Sequence, residues 1–402
     1  MKNKNYKNVF LTLTIGVILA ISLSAGCGKV GNNLTDSEKQ PETVSKKQAD
    51  TVPKKQGKFV AVAIYDYGFD DKGNNLPSDK GAYSIDGIRW TATKMPDKAF
   101  WYSIRYGNGK FIAVAKDSNK AAYSEDGINW IETKMPARDS WIGLTYGNGK
   151  FIATSGKQFA YSIDGINWTP VKMPGEAEWI GPRVGNGRFV AVAYGSNKAA
   201  YSEDGINWIE TKMPARDNWI GLTYGGGKFV VVVTNDWESR DDWGSGEDSD
   251  KAAYSTDGIK WELAILPVKA GWDYVCYGNG MFVVSGLYHH STAYSKDGIN
   301  WFKGRMPADD HWVRMRYANG KFITTGVTDI GFCRVAYSTD GIKWETARLP
   351  DEAKWGGPRF GNGKFVIVAW GDKAAYSADG IKWSLTKMPS SMYWIDVCYG
   401  GE

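Results

Sequence analysis

Four arginines occupy the same position of a repeated sequence, and their shared chemistry is that of an anion site. Each follows a tryptophan by four residues; they are Arg105, Arg183, Arg316 and Arg359. A guanidinium group offers a planar fork of N–H donors that matches a carboxylate. One interpretation is therefore an anionic ligand such as a carboxylated sugar. The other is a set of ion pairs with acidic residues of the neighbouring repeat.

The histidines form a second group of candidates because they fall in consecutive loops. All three of the chain are included: His289, His290 and His311. Asp309 and Asp310 precede His311, and Cys333 lies in the following loop. These residue types suit a metal ion or an acid–base pair, but their spacing matches no metal-ligand pattern. We predict no metal, no cofactor and no catalytic residue, and we keep the histidines as ligand-binding candidates.

Two long loops add oxygen-rich and aromatic side chains. Segment 234–251 holds seven acidic residues with Trp237 and Trp243, and segment 64–81 holds four aspartates among glycines and asparagines. An aromatic pair in an irregular loop is suited to recognising a sugar or a protein. Neither segment has the spacing of a known calcium loop, so we expect both to be solvated.

The first 56 residues predict export and anchoring rather than a folded domain. Residues 1–26 combine three lysines with an apolar run, and they end in Leu23-Ser24-Ala25-Gly26 before Cys27. This arrangement resembles a bacterial lipobox, which implies a signal peptide and lipidation of Cys27. Residues 27–56 are polar and predict a disordered tether. The expected location is the cell membrane, lipid-anchored and facing outside the cytoplasm.

The net charge of the whole chain comes from these two segments. The formal charge is +5, the leader has three lysines and no acid, and the tether has six lysines and four acids. Residues 57–402 are therefore neutral, and we expect no nucleic-acid partner.

One nine-residue pattern, Ala-Tyr-Ser-x-Asp-Gly-Ile-x-Trp, is repeated through the rest of the chain. It occurs eight times, and a second tryptophan follows each copy by eleven residues. Each period of about 40 residues contains four strand signals and no helical pattern, for example 101–106, 110–115, 121–124 and 129–134. Four antiparallel strands per repeat are typical of a propeller blade.

The ends of the chain predict how such a ring closes. The first repeat begins at its second strand, near Lys58, and the chain ends with a first strand at 394–400. Pairing of these two strands completes an eighth blade. We therefore predict an all-β, eight-bladed β-propeller over residues 57–402.

The repeated pattern resembles the Asp-box (BNR) repeat of sialidase-like propellers, although it lacks one residue between the aspartate and the glycine. The resemblance implies that the aspartates form structural turns remote from a ligand; they are Asp86, Asp126, Asp164, Asp204, Asp257, Asp297, Asp340 and Asp379. Sialidases of the family carry an Arg-Ile-Pro motif near their start, and this chain has none. That difference argues against sialidase activity.

Because the repeated residues are assigned to the scaffold, the loops that vary between repeats become the expected binding face. We predict a monomeric, membrane-tethered binding or scaffold module for a glycan or an envelope protein. One alternative is a glycan-acting hydrolase that uses loop carboxylates such as Asp309 or Asp310. Another is an assembly factor for an envelope complex, which would resemble photosystem-assembly propellers.

Overall fold

A computed structural model describes residues 56–234, 248–286, 291–308, 310–328 and 331–401. The predictions on Cys27, Trp237, Trp243, His289, His290 and Asp309, and on the side chain of Cys333, lie outside these described residues.

The described residues form thirty β-strands and no helix. The first six strands are β1 Lys58–Phe69, β2 Asn75–Ser84, β3 Thr91–Gly107, β4 Lys110–Lys116, β5 Ser118–Ser124 and β6 Ile131–Asp139. The next eight are β7 Gly143–Gly147, β8 Lys150–Thr154, β9 Phe159–Ser162, β10 Thr169–Val171, β11 Glu178–Gly185, β12 Arg188–Tyr194, β13 Ser196–Ser202 and β14 Ile209–Asp217. These are followed by β15 Trp219–Gly225, β16 Lys228–Val233, β17 Ser249–Ser255, β18 Glu262–Ala270, β19 Trp272–Gly278, β20 Met281–Gly286, β21 Ser291–Ser295 and β22 Phe302–Arg305. The last are β23 His311–Ala318, β24 Lys321–Thr328, β25 Gly331–Ser338, β26 Glu345–Ala353, β27 Arg359–Gly361, β28 Lys364–Val368, β29 Trp370–Ser377 and β30 Ser384–Gly400.

The strands assemble into antiparallel sheets in chain order. Strands β7 to β26 make five four-stranded sheets, and β27 to β30 join β1 to β6 in one ten-stranded sheet. The prediction of an all-β chain with four antiparallel strands per repeat is confirmed. The second strand of a repeat is largely buried on both faces and mostly apolar, as in β4, where residues 111–115 are almost fully buried.

Hairpin turns between the first two strands of a repeat form as the sequence predicts. At Asn108-Gly109 both residues have positive φ, 44° and 74°, which is the backbone of a tight type I′ turn. The asparagine is again in this conformation in five later repeats, at Asn148, Asn186, Asn279, Asn319 and Asn362.

Two strands are longer than the sequence predicts. In β3, Thr91 to Lys94 pair with β2, whereas Phe100 to Gly107 pair with β4. The fourth strand of one repeat therefore continues into the first strand of the next. The same occurs in β30, and β6 ends at Asp139 rather than at Lys134.

The two ends of the described chain are adjacent. Strand β1 pairs with the C-terminal half of β30 in antiparallel register, from Lys58 opposite Gly400 to Val62 opposite Asp396.

Sheets pack through a glycine near the end of the first strand in seven of the eight repeats, whereas β23 has Ala318 at this position. A side chain at this position would collide with the first strand of the next sheet; the pairs are Gly107 with Tyr146, Gly147 with Val184, Gly185 with Tyr224, Gly225 with Tyr277, Gly278 with Tyr317, Gly361 with Tyr399 and Gly400 with Tyr106. The last pair brings β30 against β3, and in each of the seven pairs two first strands are neighbours.

The second tryptophan of each repeat is a core residue. All eight are at most 1% exposed: Trp101, Trp141, Trp179, Trp219, Trp272, Trp312, Trp355 and Trp394. In seven of them Nε1 donates to the carbonyl oxygen four residues earlier, as Trp141 does to Ala137 at 3.0 Å. These rings are buried between sheets and present no face for stacking on a ligand.

Candidate functional site

The eight aspartates of the repeated pattern hold local turns. In one copy, Asp164 Oδ1 accepts hydrogen bonds from the amides of Ile166 and Asn167 at 2.8 and 2.9 Å and from Ser162 Oγ at 2.8 Å. The amide of Gly165 donates to Ser162 Oγ at 2.8 Å. Partial burial acts to raise the pKa of Asp164, but these donors outweigh it and hold the pKa well below its usual range. The carboxylate is therefore fully engaged in its own turn.

These turns lie on the same side of the molecule as the Asn-Gly hairpins. Asn108 Nδ2 donates to the carbonyl of Ile163 at 3.0 Å, and Asn362 Nδ2 donates to the carbonyl of Ile85 at 3.1 Å. Each bond joins a hairpin of one repeat to the aspartate turn of another. The loops that vary between repeats are at the opposite ends of the strands.

Two of the four predicted arginines share one carboxylate. Arg105 Nη1 lies 2.8 Å from Asp396 Oδ2, and Arg359 Nη2 lies 2.7 Å from Asp396 Oδ1. Burial alone would raise the pKa of Asp396, but the charges of Arg359 and Arg105 lower it, so the carboxylate is ionised. Arg105 and Arg359 therefore form ion pairs with an acidic residue, as the second interpretation of the arginines predicts.

The other two arginines have no acidic partner among the described residues. Arg183 is 5% exposed, and its Nε donates to the carbonyl of Leu222 at 2.5 Å while its Nη1 is buried without a partner. Arg316 Nε is likewise buried and unpartnered. Burial, followed by the charge of Arg359, lowers the pKa of Arg316 well below its usual value. Burial, followed by the charge of Arg105, lowers the pKa of Arg183 to about 9.

Arg105, Arg183, Arg316 and Arg359 form a group with Asp396, which we call the arginine cluster. The four guanidinium groups influence one another electrostatically across the inner strands, and one carboxylate accompanies them. The cluster therefore carries excess positive charge, although residues 57–402 as a whole are neutral. It also has buried N–H groups, including Arg359 Nη1, that lack acceptors in the described part of the protein.

A fifth arginine, which the sequence analysis missed, lies beside the cluster. Arg314 is on β23, and its Nε is buried without a hydrogen-bond partner among the described residues. Its φ is +62°, in the left-handed region. The corresponding residue is a glycine in four other repeats: Gly143, Gly181, Gly221 and Gly357.

Two tyrosines and an aspartate complete the polar groups near these arginines. The hydroxyls of Tyr102 and Tyr274 are buried, and that of Tyr274 interacts with the carboxyl of Asp273. Burial raises the pKa of both, and the charge of Arg314 acts on both in the opposite direction. Asp273 is 2% exposed; burial raises its pKa to about 7, and a hydrogen bond with Tyr274 acts against the shift.

A signal for these missed residues was present in the repeats. One residue after the second tryptophan, isoleucine is the commonest residue, but the chain has Tyr102 and Asp273. Two residues after it glycine is commonest, but the chain has Tyr274, Arg314 and Asp396. Residues that depart from the repeat at these two positions are therefore candidates for the site, just as the four arginines are at the position four residues after the tryptophan.

The predicted histidine group is described only in part. His311 is half-buried at the start of β23, and Asp310 is 5% exposed with Arg334 Nη1 at 3.5 Å from its carboxylate. In the described ranges no three His, Cys, Asp or Glu side chains are grouped so that they could hold a metal ion. The prediction of a long solvated loop over 64–81 is wrong: this segment is the end of β1, a turn at 70–74 and the start of β2. Asp70 accepts hydrogen bonds from Asn74 in the turn, Asp79 pairs with Lys80, and Asp66 faces Lys98 at 3.5 Å.

The described cysteines are reduced thiols on inner strands. Cys276 and Cys398 form no disulfide with each other, and burial raises the pKa of both, that of Cys276 to about 12. Thiols held protonated in this way are poor nucleophiles.

Comparison with known proteins identifies the fold. Neither the protein-family models nor the curated proteins give a match. Among solved structures, dihydro-heme d1 dehydrogenase NirN has a TM-score of 0.60 and 9% identity, covering 89% of this chain and 77% of its own. Apo AztD from Citrobacter koseri (TM-score 0.56, 10% identity) and a streptogramin B lyase (0.55, 12%) each cover 86% of this chain and 98% of their own.

The similar structures are β-propellers, and this chain has a β-propeller fold. At these identities the similarity extends to the fold alone. Within the described ranges there is no helix long and apolar enough to cross a membrane.

Proposed function

We propose that the chain is a binding propeller that takes an anionic ligand into the arginine cluster on its inner strands. The observation that carries this proposal is the imbalance between four buried or half-buried arginines and the single carboxylate of Asp396. Burying unpaired guanidinium groups is unfavourable unless an anion accompanies them. An external carboxylate would supply both the charge and the acceptors that these N–H groups lack.

The proposed architecture is a ring of eight blades closed by the pairing of β30 with β1. Support comes from that pairing and from the seven glycine contacts between first strands, which include Gly400 of β30 with Tyr106 of β3. The aspartate turns would then be Asp boxes of the sialidase-like kind, which hold the blades and take no part in binding. Lipidation of Cys27 and a tether over 27–56 would hold this ring at the outer side of a cell membrane.

A binding role fits the described carboxylates better than hydrolysis does. A glycan-acting hydrolase needs two carboxyl groups facing each other across the substrate. Asp310 lies against Arg334, and Asp396 is shared between two arginines. Both are committed to ion pairs, so we assign the arginine cluster to recognition. The variable loops with Trp237 and Trp243 would contact the rest of a larger glycan or protein ligand.

Isothermal titration calorimetry with galacturonate and with neutral galactose tests the proposal. We expect binding of galacturonate alone, and a loss of at least about tenfold in affinity for Arg316→Ala, since a hydrogen bond to a charged group contributes about 1.5–3 kcal/mol. Arg188→Ala is the matched control because Arg188 is already paired, with Glu203 and with the carbonyl oxygen of Asp257 in an aspartate turn. Equal binding of the two sugars, or an equal effect of the two variants, would contradict it.

A glycan array tests the wider ligand class with residues 57–402. Acidic glycans should be retained selectively, and Trp237→Ala should weaken retention of long glycans more than that of single sugars. Retention of neutral glycans by both the wild type and Arg316→Ala would assign recognition to the loops instead of the arginine cluster.

A further inference from the structure

We infer that Asp396 is a specificity-determining residue of the arginine cluster. Its carboxylate serves as an internal ligand of Arg105 and Arg359, and Arg316 is left to bind a single acidic group of the external ligand. The inference rests on the proposed function and adds the number of acidic groups in the ligand and the arginine that binds one.

The carboxylate of Asp396 is filled by donors from three strands. Its Oδ1 accepts hydrogen bonds from Arg359 Nη2 on β27 at 2.7 Å and from the amide of Val397 at 3.0 Å. Its Oδ2 accepts hydrogen bonds from Arg105 Nη1 on β3 at 2.8 Å and from the amide of Ile104 at 3.3 Å. Two guanidinium groups and two amides around one carboxylate make a complete anion-binding arrangement, and Asp396 occupies it.

This arrangement is closed to an external ligand. The side chains of Arg105, Asp396 and Arg359 are 13%, 16% and 15% exposed. An external acidic group reaches these two arginines only by displacing a carboxylate that the chain already holds at hydrogen-bond distance. Because the internal carboxylate loses no translational freedom on binding, it competes more effectively than a free acid does.

The carboxylate of Asp396 is a departure from the repeat. Glycine stands at its position in four other repeats: Gly143, Gly181, Gly221 and Gly357. Asp396 is the only acidic residue at this position in the eight repeats. The strand therefore forms without a carboxylate here, and the two arginines account for the aspartate.

Arg316 is the arginine that remains for an external ligand. Arg183 is 5% exposed, and its Nε already donates to the carbonyl of Leu222 at 2.5 Å. Arg316 is half-buried, and its Nε is buried without an acceptor in the described structure. Arg316 therefore combines access from solvent with an unused donor, and one acidic group supplies the acceptor.

Two sugars of equal length test the number of acidic groups. Digalacturonate and its monomethyl ester differ by one carboxylate, and titration calorimetry measures their affinities. The wild type should bind both equally, to within about twofold. The Asp396→Gly variant should bind digalacturonate about tenfold more tightly than the ester, because the second carboxylate takes the place between Arg105 and Arg359. A clear preference for digalacturonate in the wild type, or none in Asp396→Gly, would overturn the inference.

Asp351→Gly is the matched control for this comparison. Asp351 also forms an ion pair, with Lys373 at 2.8 Å, but its side chain is 41% exposed. Its variant should bind the two sugars equally, as the wild type does.

A second readout separates this inference from the proposed function. If the wild type binds neither sugar, the proposed function fails, and melting temperatures still test Asp396. Sodium acetate should raise the melting temperature of Asp396→Gly more than sodium chloride at equal ionic strength, since acetate replaces the missing carboxylate. The wild type and Asp351→Gly should respond equally to the two salts. An equal response of Asp396→Gly would show that Arg105 and Arg359 do not form a carboxylate site.

The Asp396→Asn variant serves if glycine prevents folding, because asparagine keeps the volume of the side chain and removes only its charge. An affinity for galacturonate equal to or above that of the wild type supports the inference. A lower affinity would show that Asp396 positions the arginine that binds the ligand, and the inference would be wrong.

Discussion

At the scale of single residues, Asp273 carries one of the least exposed carboxyl groups in the described structure. Isoleucine stands at its position in four other repeats: Ile142, Ile180, Ile220 and Ile395. Its carboxyl is 2% exposed and has a pKa of about 7, because burial outweighs the hydrogen bond with Tyr274. The ionised form is therefore disfavoured in the folded protein.

Stability should fall as pH rises because of this residue. An unfolded aspartate titrates near pH 4, whereas folded Asp273 titrates near 7. Between these values only the folded state holds the proton, so unfolding releases it and a higher pH favours unfolding, by up to about 4 kcal/mol. Urea unfolding at pH 5 and pH 8 measures the loss.

The Asp273→Asn variant should remove most of this pH dependence, and Asp372→Asn on β29 is the matched control. If the wild type and Asp273→Asn lose the same free energy of unfolding between the two pH values, another group is responsible.

At the scale of strands and turns, the features that depend only on neighbouring residues are predictable from the sequence. Asn108-Gly109 forms a hairpin and Asp164 holds its turn because each depends on residues two or three positions away. The continuous strands β3 and β30 were not predicted, because the connection is held by pairing with residues distant in sequence: in β3, Ala99 lies opposite Ser78 and Phe100 opposite Lys116.

Several outer strands place like charges opposite one another. Lys120 and Lys134 are direct partners on β5 and β6, and the same occurs in four other repeats, at Lys80 and Lys94, Lys198 and Lys212, Arg334 and Arg348, and Lys373 and Lys387. Lys120 also forms an ion pair with Asp97, whereas Lys134 is exposed. Opposed like charges destabilise a sheet.

The Lys134→Glu variant should therefore be more stable than the wild type. Replacing repulsion by attraction across the pair should raise the free energy of unfolding by about 0.2–1 kcal/mol, measured by chemical denaturation at low salt. Lys134→Gln should give roughly half of the gain, and high salt should reduce both. A gain that salt does not change would point to strand propensity instead of charge.

At the scale of the whole molecule, the fold was predictable and the site was predictable only in part. Repetition of one pattern fixes the strands and the propeller class, since each copy reports the same local structure. The site joins residues far apart in the sequence: Arg105 and Asp396 are 291 positions apart. The four arginines stood out from the repeat, but only the packed sheets show that Asp396 lies between two of them and that Arg314 lies alongside.

Removing residues 394–402 tests both closure and the arginine cluster at once. The truncated protein loses the strand that pairs with β1, the buried Trp394, and the carboxylate that holds Arg105 and Arg359. We expect a loss of about 5 kcal/mol or more, because deletion of one buried tryptophan side chain alone removes about 3–5 kcal/mol. Calorimetry should show a lower and broader melting transition, since an open propeller leaves β1 as an unpaired edge.

Deleting only Gly401 and Glu402 should have little effect, and Asp396→Asn should lower the free energy of unfolding less than the truncation does. Equal melting temperatures for the truncated and full-length proteins would show that pairing of β30 with β1 does not hold the molecule together.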